Sequence, residues 1–267
     1  MPKTFGFIGT GNMGSALAKA AARTLDPVSI ILSNRTMEKA EILAEELHCR
    51  YAGKEFIAQT SSYIFLGVKP QMMGELLKEI APILAARTRR FVLVSMAAGL
   101  SMADIRTMAG GDYPVIRIMP NTPVAVGEGV ILYNSVDVTG EELDDFRKAL
   151  SAAGYLDQLE EELFDAGTAV AGCGPAFADL FVEALTAGGV ANGLPTEKAQ
   201  TYALRMMLGA ARLALETGKD PAELRKAVCS PGGATLAGID AMEKQGFSAA
   251  AEAAIPAAVQ RSKELRK

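Results

Sequence analysis

Short apolar runs alternate with amphipathic segments through residues 1–160. The runs are apolar throughout, as is typical of strands covered on both faces, and the segments between them carry apolar residues at helical spacing. Strands alternating with helices indicate a parallel sheet with helices on both sides. The pattern predicts strands at 5–8, 28–32, 63–68, 91–95, 115–119, 130–133 and 155–159, with a short one near Cys49. It predicts helices at 15–25, 37–47, 71–84 and 140–153, the last of them opened by a capping box at Thr139 and Glu142.

The strand pattern stops after Glu162, and the rest of the chain is rich in Ala, Leu and Met between Gly- and Pro-containing breaks. This part predicts helices only, at 163–190, 196–217, 221–229, 234–244 and 248–266. We therefore expect two domains, an α/β domain over residues 1–160 and an all-α domain over residues 161–267.

One predicted helix is apolar on nearly every side, because residues 201–211 carry Arg205 as their single charge. Such a helix needs cover on every side, and so small a helical domain cannot supply it. A second subunit is the expected cover. The sequence thus predicts an obligate homodimer built through the helical part.

Composition excludes several classes of function. Hydrophobic residues make up 49% of the chain and charged residues 22%, which excludes global disorder. A net charge of −4 and the absence of Trp argue against a nucleic-acid-binding surface. No run reaches the roughly 18 apolar residues of a membrane span, and the N-terminal segment has no signal-peptide pattern. We expect a cytoplasmic protein that binds neither nucleic acid nor membrane.

Metal and disulfide chemistry are also poorly supported. His48 is the single histidine, and Cys49, Cys173 and Cys229 are far apart without any CxxC pair. The sequence predicts no metal site.

A glycine-rich turn follows the first predicted strand and opens the first helix. Its sequence, GTGNMG over residues 9–14, has the spacing that lets a backbone approach a pyrophosphate at a helix N-terminus. In this position the motif predicts a Rossmann-type dinucleotide-binding domain. Two later strand ends, at 68–70 and 97–99, should reach the same crevice. The predicted cofactor-binding residues are Ile8, Gly9, Thr10, Gly11, Asn12, Met13, Gly14, Ser33, Asn34, Arg35, Val68, Lys69, Pro70, Ala97, Ala98 and Gly99.

The end of the second predicted strand bears on the choice of cofactor. An NAD protein places Asp or Glu about 20 residues after the glycines, but this chain has Ser33, Asn34 and Arg35 there. A guanidinium with a hydroxyl and an amide suits the 2′-phosphate of NADPH. The segment favours NADPH and leaves NADH as a second cofactor. The alternative interpretation of Arg35 is a solvent-exposed loop residue.

The reaction must be one that does not depend on a histidine base. His48 is expected at the outer edge of the sheet, which disfavours many alcohol dehydrogenases. Reduction of a protonated imine needs little help from a base and fits better.

A second turn, at 230–235, has the sequence SPGGAT and could present amides to a substrate carboxylate. A simple turn between helices remains the alternative for this segment.

Seven motifs in order resemble those of the pyrroline-5-carboxylate reductases, over nearly the whole chain. They lie at 9–14, 68–70, 97–99, 119–123, 127–129, 172–177 and 230–235. The resemblance implies hydride transfer from NADPH to 1-pyrroline-5-carboxylate, which yields L-proline in the last step of proline biosynthesis. It also implies an all-α dimerisation domain, an active site between two subunits, and dimers that stack into decamers.

By the same resemblance, Thr235 hydrogen-bonds the ring nitrogen as the catalytic proton donor and Ser230 supports the loop. It adds Asn121 to the cofactor residues. It assigns Gly232, Gly233, Ala234, Thr235, Thr122 and Glu161 to the substrate. Two positions depart from the family pattern: Cys173 stands where Ser is usual, and Ala234 where a first Thr often precedes Thr235.

Two other classes of function stay open on the residues alone. One is a related NADP-dependent oxidoreductase that acts on another imine or on a β-hydroxyacid. The other is a non-catalytic NADP-binding protein, which would bind NADPH without turning over an imine.

Overall fold

The computed structural model describes residues 3–264, and they divide into two compact units. The first unit comprises the chain up to Cys173 together with the segment from Ala258, and the second is Gly174–Ala257. The two termini of the predicted domains, at 1–2 and 265–267, lie outside the described residues. The predicted domain boundary at residue 160 stays a prediction.

The first unit is built on one eight-stranded sheet in the order β3-β2-β1-β4-β5-β6-β7-β8. The strands are β1 Phe5–Ile8, β2 Ile30–Ser33, β3 Arg50–Tyr51, β4 Tyr63–Leu66, β5 Val92–Ser95, β6 Val115–Pro120, β7 Gly129–Val136 and β8 Gly154–Gln158. The helices around it are α1 Asn12–Ala22, α2 Met37–Leu47, α3 Lys54–Thr60, α4 Pro70–Ala85, α5 Met102–Ala109, α6 Gly140–Leu150 and the short α7 Phe164–Gly167. This is the α/β architecture that the sequence pattern predicts.

Both faces of the sheet are buried, as the apolar runs predict. On one face the aromatic rings of neighbouring strands stack, with centroids 4.7 Å apart for Phe5 and Tyr63 and 4.3 Å apart for Phe7 and Phe65. On the other face Ile64 and side chains of α4 and α5 form a second core. Burial of each such side chain contributes about 1.5–3 kcal/mol to stability.

One strand pair corrects the prediction of a purely parallel sheet. Strands β6 and β7 are antiparallel, whereas all other neighbouring strands are parallel. A parallel crossover needs about a dozen residues or more, and the link between Pro120 and Gly129 is shorter than that. The chain therefore turns back directly beside β6 through a 3₁₀ turn, Thr122–Val126.

Local capping explains where several elements differ from the predicted bounds. Gly11 is the N-cap of α1, so this helix begins at Asn12 instead of residue 15. Asp26 caps a 3₁₀ turn at Pro27–Ser29, so β2 begins at Ile30. The sequence prediction missed α3 and α5, which are short; a capping box at Ser101 opens α5. The predicted capping box at Thr139 is confirmed.

The second unit is helical, as predicted. It contains α8 Gly174–Ala191, α9 Thr196–Thr217, α10 Pro221–Ala227, α11 Ala234–Lys244 and the first part of α12 Phe247–Glu264. Within it only Val182, Ala199 and Ala203 are buried, so most apolar side chains of these helices face outward.

A continuous helical segment leads into this unit and contains one turn of π-helix, Thr168–Gly172. The segment Glu161–Ala191 is long and apolar enough to cross a membrane by length and composition alone, and only 11% of its most apolar stretch is buried. Asp165, Asp179 and Glu183 interrupt its apolar residues, so the segment contains no run of about 18 apolar residues, as expected from the sequence. A single helix of this kind is weak evidence for a membrane protein, because a helix covered by protein can have the same length and composition.

Candidate cofactor groove and substrate loop

The glycine turn after β1 requires glycine at two of its positions. Gly9 has a φ of +100°, and its amide donates to Ser33 O at 2.8 Å. A Cβ on Gly14 would lie 2.0 Å from Gly9 O, so α1 could not approach the turn. Gly11 instead faces open space, which leaves its backbone accessible to a ligand.

A groove of about 650 Å³ lies at the carboxyl ends of β1, β2 and β4. It brings together eight of the predicted cofactor residues, namely Ile8, Gly9, Gly11, Ser33, Asn34, Arg35, Val68 and Lys69. The groove is also lined by Gly53, Lys54, Glu55, Met72, Glu75 and Glu79. Of the remaining predicted residues, Thr10 completes the turn and Asn12, Met13 and Gly14 form the first turn of α1. Pro70 opens α4.

The polar groups of this groove fit a phosphorylated dinucleotide. Arg35 and Lys69 are exposed, and neither forms an ion pair within the described part of the chain. Lys54 pairs with Glu79, which holds the pKa of Lys54 above its usual value. The hydroxyl of Thr10 is buried without a hydrogen-bond partner among the described residues. Two exposed cations without an ion-pair partner, beside a helix N-terminus, are suited to bind phosphate.

Residues 97–99 do not line this groove but follow the neighbouring strand β5. Ala97 is buried, Ala98 is exposed, and Gly99 turns the chain with a φ of +80°. The loop ends at Ser101, the N-cap of α5.

Asn121 uses both ends of its side-chain amide within the protein. It donates to Ala171 O at 2.9 Å and accepts from the amide of Val130 at 2.8 Å. This buried side chain therefore joins the start of β7 to the π-helical turn. The neighbouring Thr122 is exposed at the end of β6.

Glu161 also has partners within its own chain. Its Oε1 accepts from Arg117 at 2.8 Å and from the amide of Met102 at 2.9 Å. Arg117 is buried in β6 and lies over the Phe164 ring, 4.5 Å from its centroid. Sequence reasoning missed Arg117. Its signal was a lone charge within an apolar strand, since a buried charge requires a partner.

The 230–235 loop lies in the helical unit and opens α11. Gly232 has a φ of +72°, and the amide of Gly233 donates to Ser230 O at 3.0 Å. Gly233 is the N-cap, so Ala234 and Thr235 occupy the first turn of α11, and both are exposed. First-turn amides have no partner within their helix and favour an anion such as a carboxylate.

The fold and the groove define a two-part oxidoreductase that binds a dinucleotide. A family model described as NADP oxidoreductase, coenzyme F420-dependent, matches residues 4–99. A model for pyrroline-5-carboxylate reductase dimerisation matches residues 161–265. The pyrroline-5-carboxylate reductase of Corynebacterium melassecola is 38% identical, over 99% of this chain and 99% of its own length. The chain belongs to the pyrroline-5-carboxylate reductase family.

Solved structures of the family superpose on the whole chain. A pyrroline-5-carboxylate reductase from Coxiella burnetii is 30% identical with a TM-score of 0.92, and the match covers 99% of both chains. The Plasmodium falciparum pyrroline carboxylate reductase, solved with NADP bound, is 29% identical with a TM-score of 0.87. That match covers 99% of this chain and 98% of the other.

Proposed function

We propose that this chain reduces 1-pyrroline-5-carboxylate to L-proline, the last step of proline biosynthesis, with NADPH as reductant. NADPH supplies a hydride for C5 of the cyclic imine, and the ring nitrogen takes up a proton. The observation that carries the proposal is the phosphate-suited groove with its unpaired Arg35, in a chain similar over its full length to reductases of this name.

The residues of the groove are proposed to bind the cofactor in separate ways. The turn at 9–14 presents backbone amides to the pyrophosphate. Ser33, Asn34 and Arg35 bind the 2′-phosphate, and Lys69 neutralises phosphate charge. NADH lacks that phosphate and serves as the weaker cofactor.

The loop at 230–235 is proposed to hold the substrate. The first-turn amides around Gly233 and Ala234 bind the carboxylate, and Gly232 gives the turn its shape. The Thr235 hydroxyl donates to the ring nitrogen, and Ser230 supports the loop through its carbonyl. Thr122 completes the substrate contacts from the end of β6.

The assembly is a homo-oligomer, which we propose to be a dimer joined through residues 161–267 and stacked into a decamer. We place the dimerisation domain at 161–267 and the cofactor domain at 1–160. The family model for dimerisation matches residues 161–265, and many apolar side chains of this part face outward, which supports the proposal. The protein is proposed to act in the cytoplasm, without contact to membrane or nucleic acid.

The test is to follow loss of reduced-nicotinamide absorbance with purified protein and 1-pyrroline-5-carboxylate. NADH and a six-membered cyclic imine run in parallel. We expect fastest turnover with NADPH and the five-membered ring. Preference for another imine or a β-hydroxyacid would indicate the related oxidoreductase, and NADPH binding without turnover would indicate a non-catalytic protein.

A further inference from the structure

An ion pair between a buried guanidinium and a partly exposed carboxylate connects the sheet to the first residues of the helical segment. Arg117 lies within β6, with only 7% of its side chain exposed, and donates to Glu161 Oε1 at 2.8 Å. The guanidinium also lies 4.5 Å from the centroid of the buried Phe164 ring. A planar cation that donates to a carboxylate and stacks on a ring is held in one orientation.

The same carboxylate oxygen binds the start of α5. It accepts from the backbone amide of Met102 at 2.9 Å, which is one of the helix amides without an intrahelical partner. Glu161 Oε1 thus already has a buried guanidinium and a helix N-terminus as partners. Both partners belong to the protein, which makes this oxygen a poor candidate for binding substrate.

The position of the pair in the sheet shows what it restrains. Arg117 is the register partner of Ser95, the last residue of β5. Residues 96–101 leave β5 at this point and re-enter regular structure at Met102. The loop is therefore fixed at one end by the strand beside Arg117 and at the other end by Glu161.

We propose that Arg117 and Glu161 are positioning residues that hold the 96–101 loop for hydride transfer. This inference rests on the proposed function, because the loop contains Ala97, Ala98 and Gly99 from the predicted cofactor residues. Neither residue lines the cofactor groove. The pair sets the loop against which the reacting end of the cofactor is aligned, whereas the turn at 9–14 and Arg35 supply most of the affinity.

Three variants separate this role from a substrate contact. Glu161→Ala removes both hydrogen bonds, and we expect kcat to fall about 10- to 100-fold, the range that a misplacement of about 1 Å produces. The KM for the imine and the Kd for NADPH should stay within about twofold, because the binding groups are intact. Glu161→Gln keeps an oxygen acceptor for Arg117 and Met102 and should recover most of the lost kcat. Glu162→Gln removes a charge from the adjacent exposed carboxylate and is the matched control.

A second measurement does not depend on turnover. Amide hydrogen exchange across 96–102, with NADPH bound, should accelerate in Glu161→Ala and return towards wild type in Glu161→Gln. Arg117→Lys should show the same acceleration; if this variant fails to fold, the Glu161 variants still carry the test.

The outcomes distinguish this inference from the proposed function. A raised imine KM with unchanged kcat in both Glu161 variants would make Glu161 a substrate residue and overturn the inference. Unchanged exchange at 96–102 in Glu161→Ala would overturn it too. If the wild-type protein turned over no imine, the proposed function would fail, while hydrogen exchange would still test the restraint on the loop.

Discussion

At the scale of single residues, Thr235 offers the sharpest test of the substrate loop. It lies in the first turn of α11 and is exposed in the single chain. We expect Thr235→Ala to lower kcat about tenfold, since one lost hydrogen bond of about 1.4 kcal/mol corresponds to that factor. NADPH affinity should not change, because Thr235 is not among the residues proposed to bind the cofactor. Steady-state kinetics together with an NADPH titration measure both effects.

The control for this change is Thr196→Ala, which removes an exposed hydroxyl at the start of α9. Its kinetics should match wild type. Unchanged kcat in Thr235→Ala would remove Thr235 from the mechanism.

The choice between the two nicotinamide cofactors is predicted to depend on Arg35. It lines the groove without an ion-pair partner in the described part of the chain. Arg35→Ala should raise the Kd for NADPH about 10- to 100-fold, the worth of one or two charge-assisted hydrogen bonds to phosphate. The Kd for NADH should change little, since NADH has no phosphate at that position. Fluorescence titration with each cofactor gives the ratio.

Lys39→Ala removes the same charge from an exposed position on α2 and serves as the control. Equal loss of NADPH and NADH affinity in Arg35→Ala would contradict a specific phosphate contact and indicate a general structural effect.

The sequence predicts a site residue well when its interacting groups lie close together along the chain, and poorly when they lie far apart. The position of the glycine turn and of Arg35 at the groove was predictable because a strand, a turn and a helix lie within one short segment. The pairing of Arg117 with Glu161 joins residues 44 positions apart, and spacing rules carry no information about it. Similarly, the sequence gives no sign that both ends of the Asn121 amide bind the backbone.

At the scale of elements, the π-helical turn is held by a strand end. Asn121, after β6, donates to Ala171 O within that turn and is buried. Asn121→Asp replaces the donor with a carboxylate oxygen that faces a carbonyl. We expect the free energy of unfolding to fall by about 1–3 kcal/mol, the cost of a buried group that loses its partner. Chemical denaturation at fixed protein concentration measures it.

Asn192→Asp is the matched control, because Asn192 donates to Gly188 O at an exposed site where water can replace the bond. Comparable destabilisation in the two variants would show that the Asn121 amide does not hold the turn.

The order of predicted strands and helices gave the wrong direction for one strand, β7, which runs antiparallel to β6. Apolar runs identify strands but carry no direction, and the expected parallel pairing assumed a helix in every connection. The short link after Pro120 leaves room for one 3₁₀ turn only, so β7 returns antiparallel. Loop length, read together with the apolar runs, contains the missing information.

At the scale of the whole molecule, the sequence predicts the fold class and the need for a partner better than the details of the site. Apolar periodicity is repeated in many elements, so an error at one helix end does not alter the architecture. A helix apolar on every side requires cover that a single chain lacks. The structure agrees, since Leu204, Leu208 and Leu215 of α9 are 48%, 57% and 84% exposed.

This surface makes the oligomeric state a direct test of the helical part. Each leucine buried by a partner contributes about 1.5–3 kcal/mol, whereas a buried unpaired carboxylate opposes association. Wild-type protein should have at least twice the 28.1 kDa mass of one chain, and Leu208→Glu should shift the mass towards the monomer. Light scattering during gel filtration measures the mass, with circular dichroism as a check that the helices remain.

Gln200→Glu adds the same charge at an exposed polar position of α9 and should stay oligomeric. A monomeric wild type would contradict the predicted cover, and so would unchanged mass in both Leu208→Glu and Leu215→Glu.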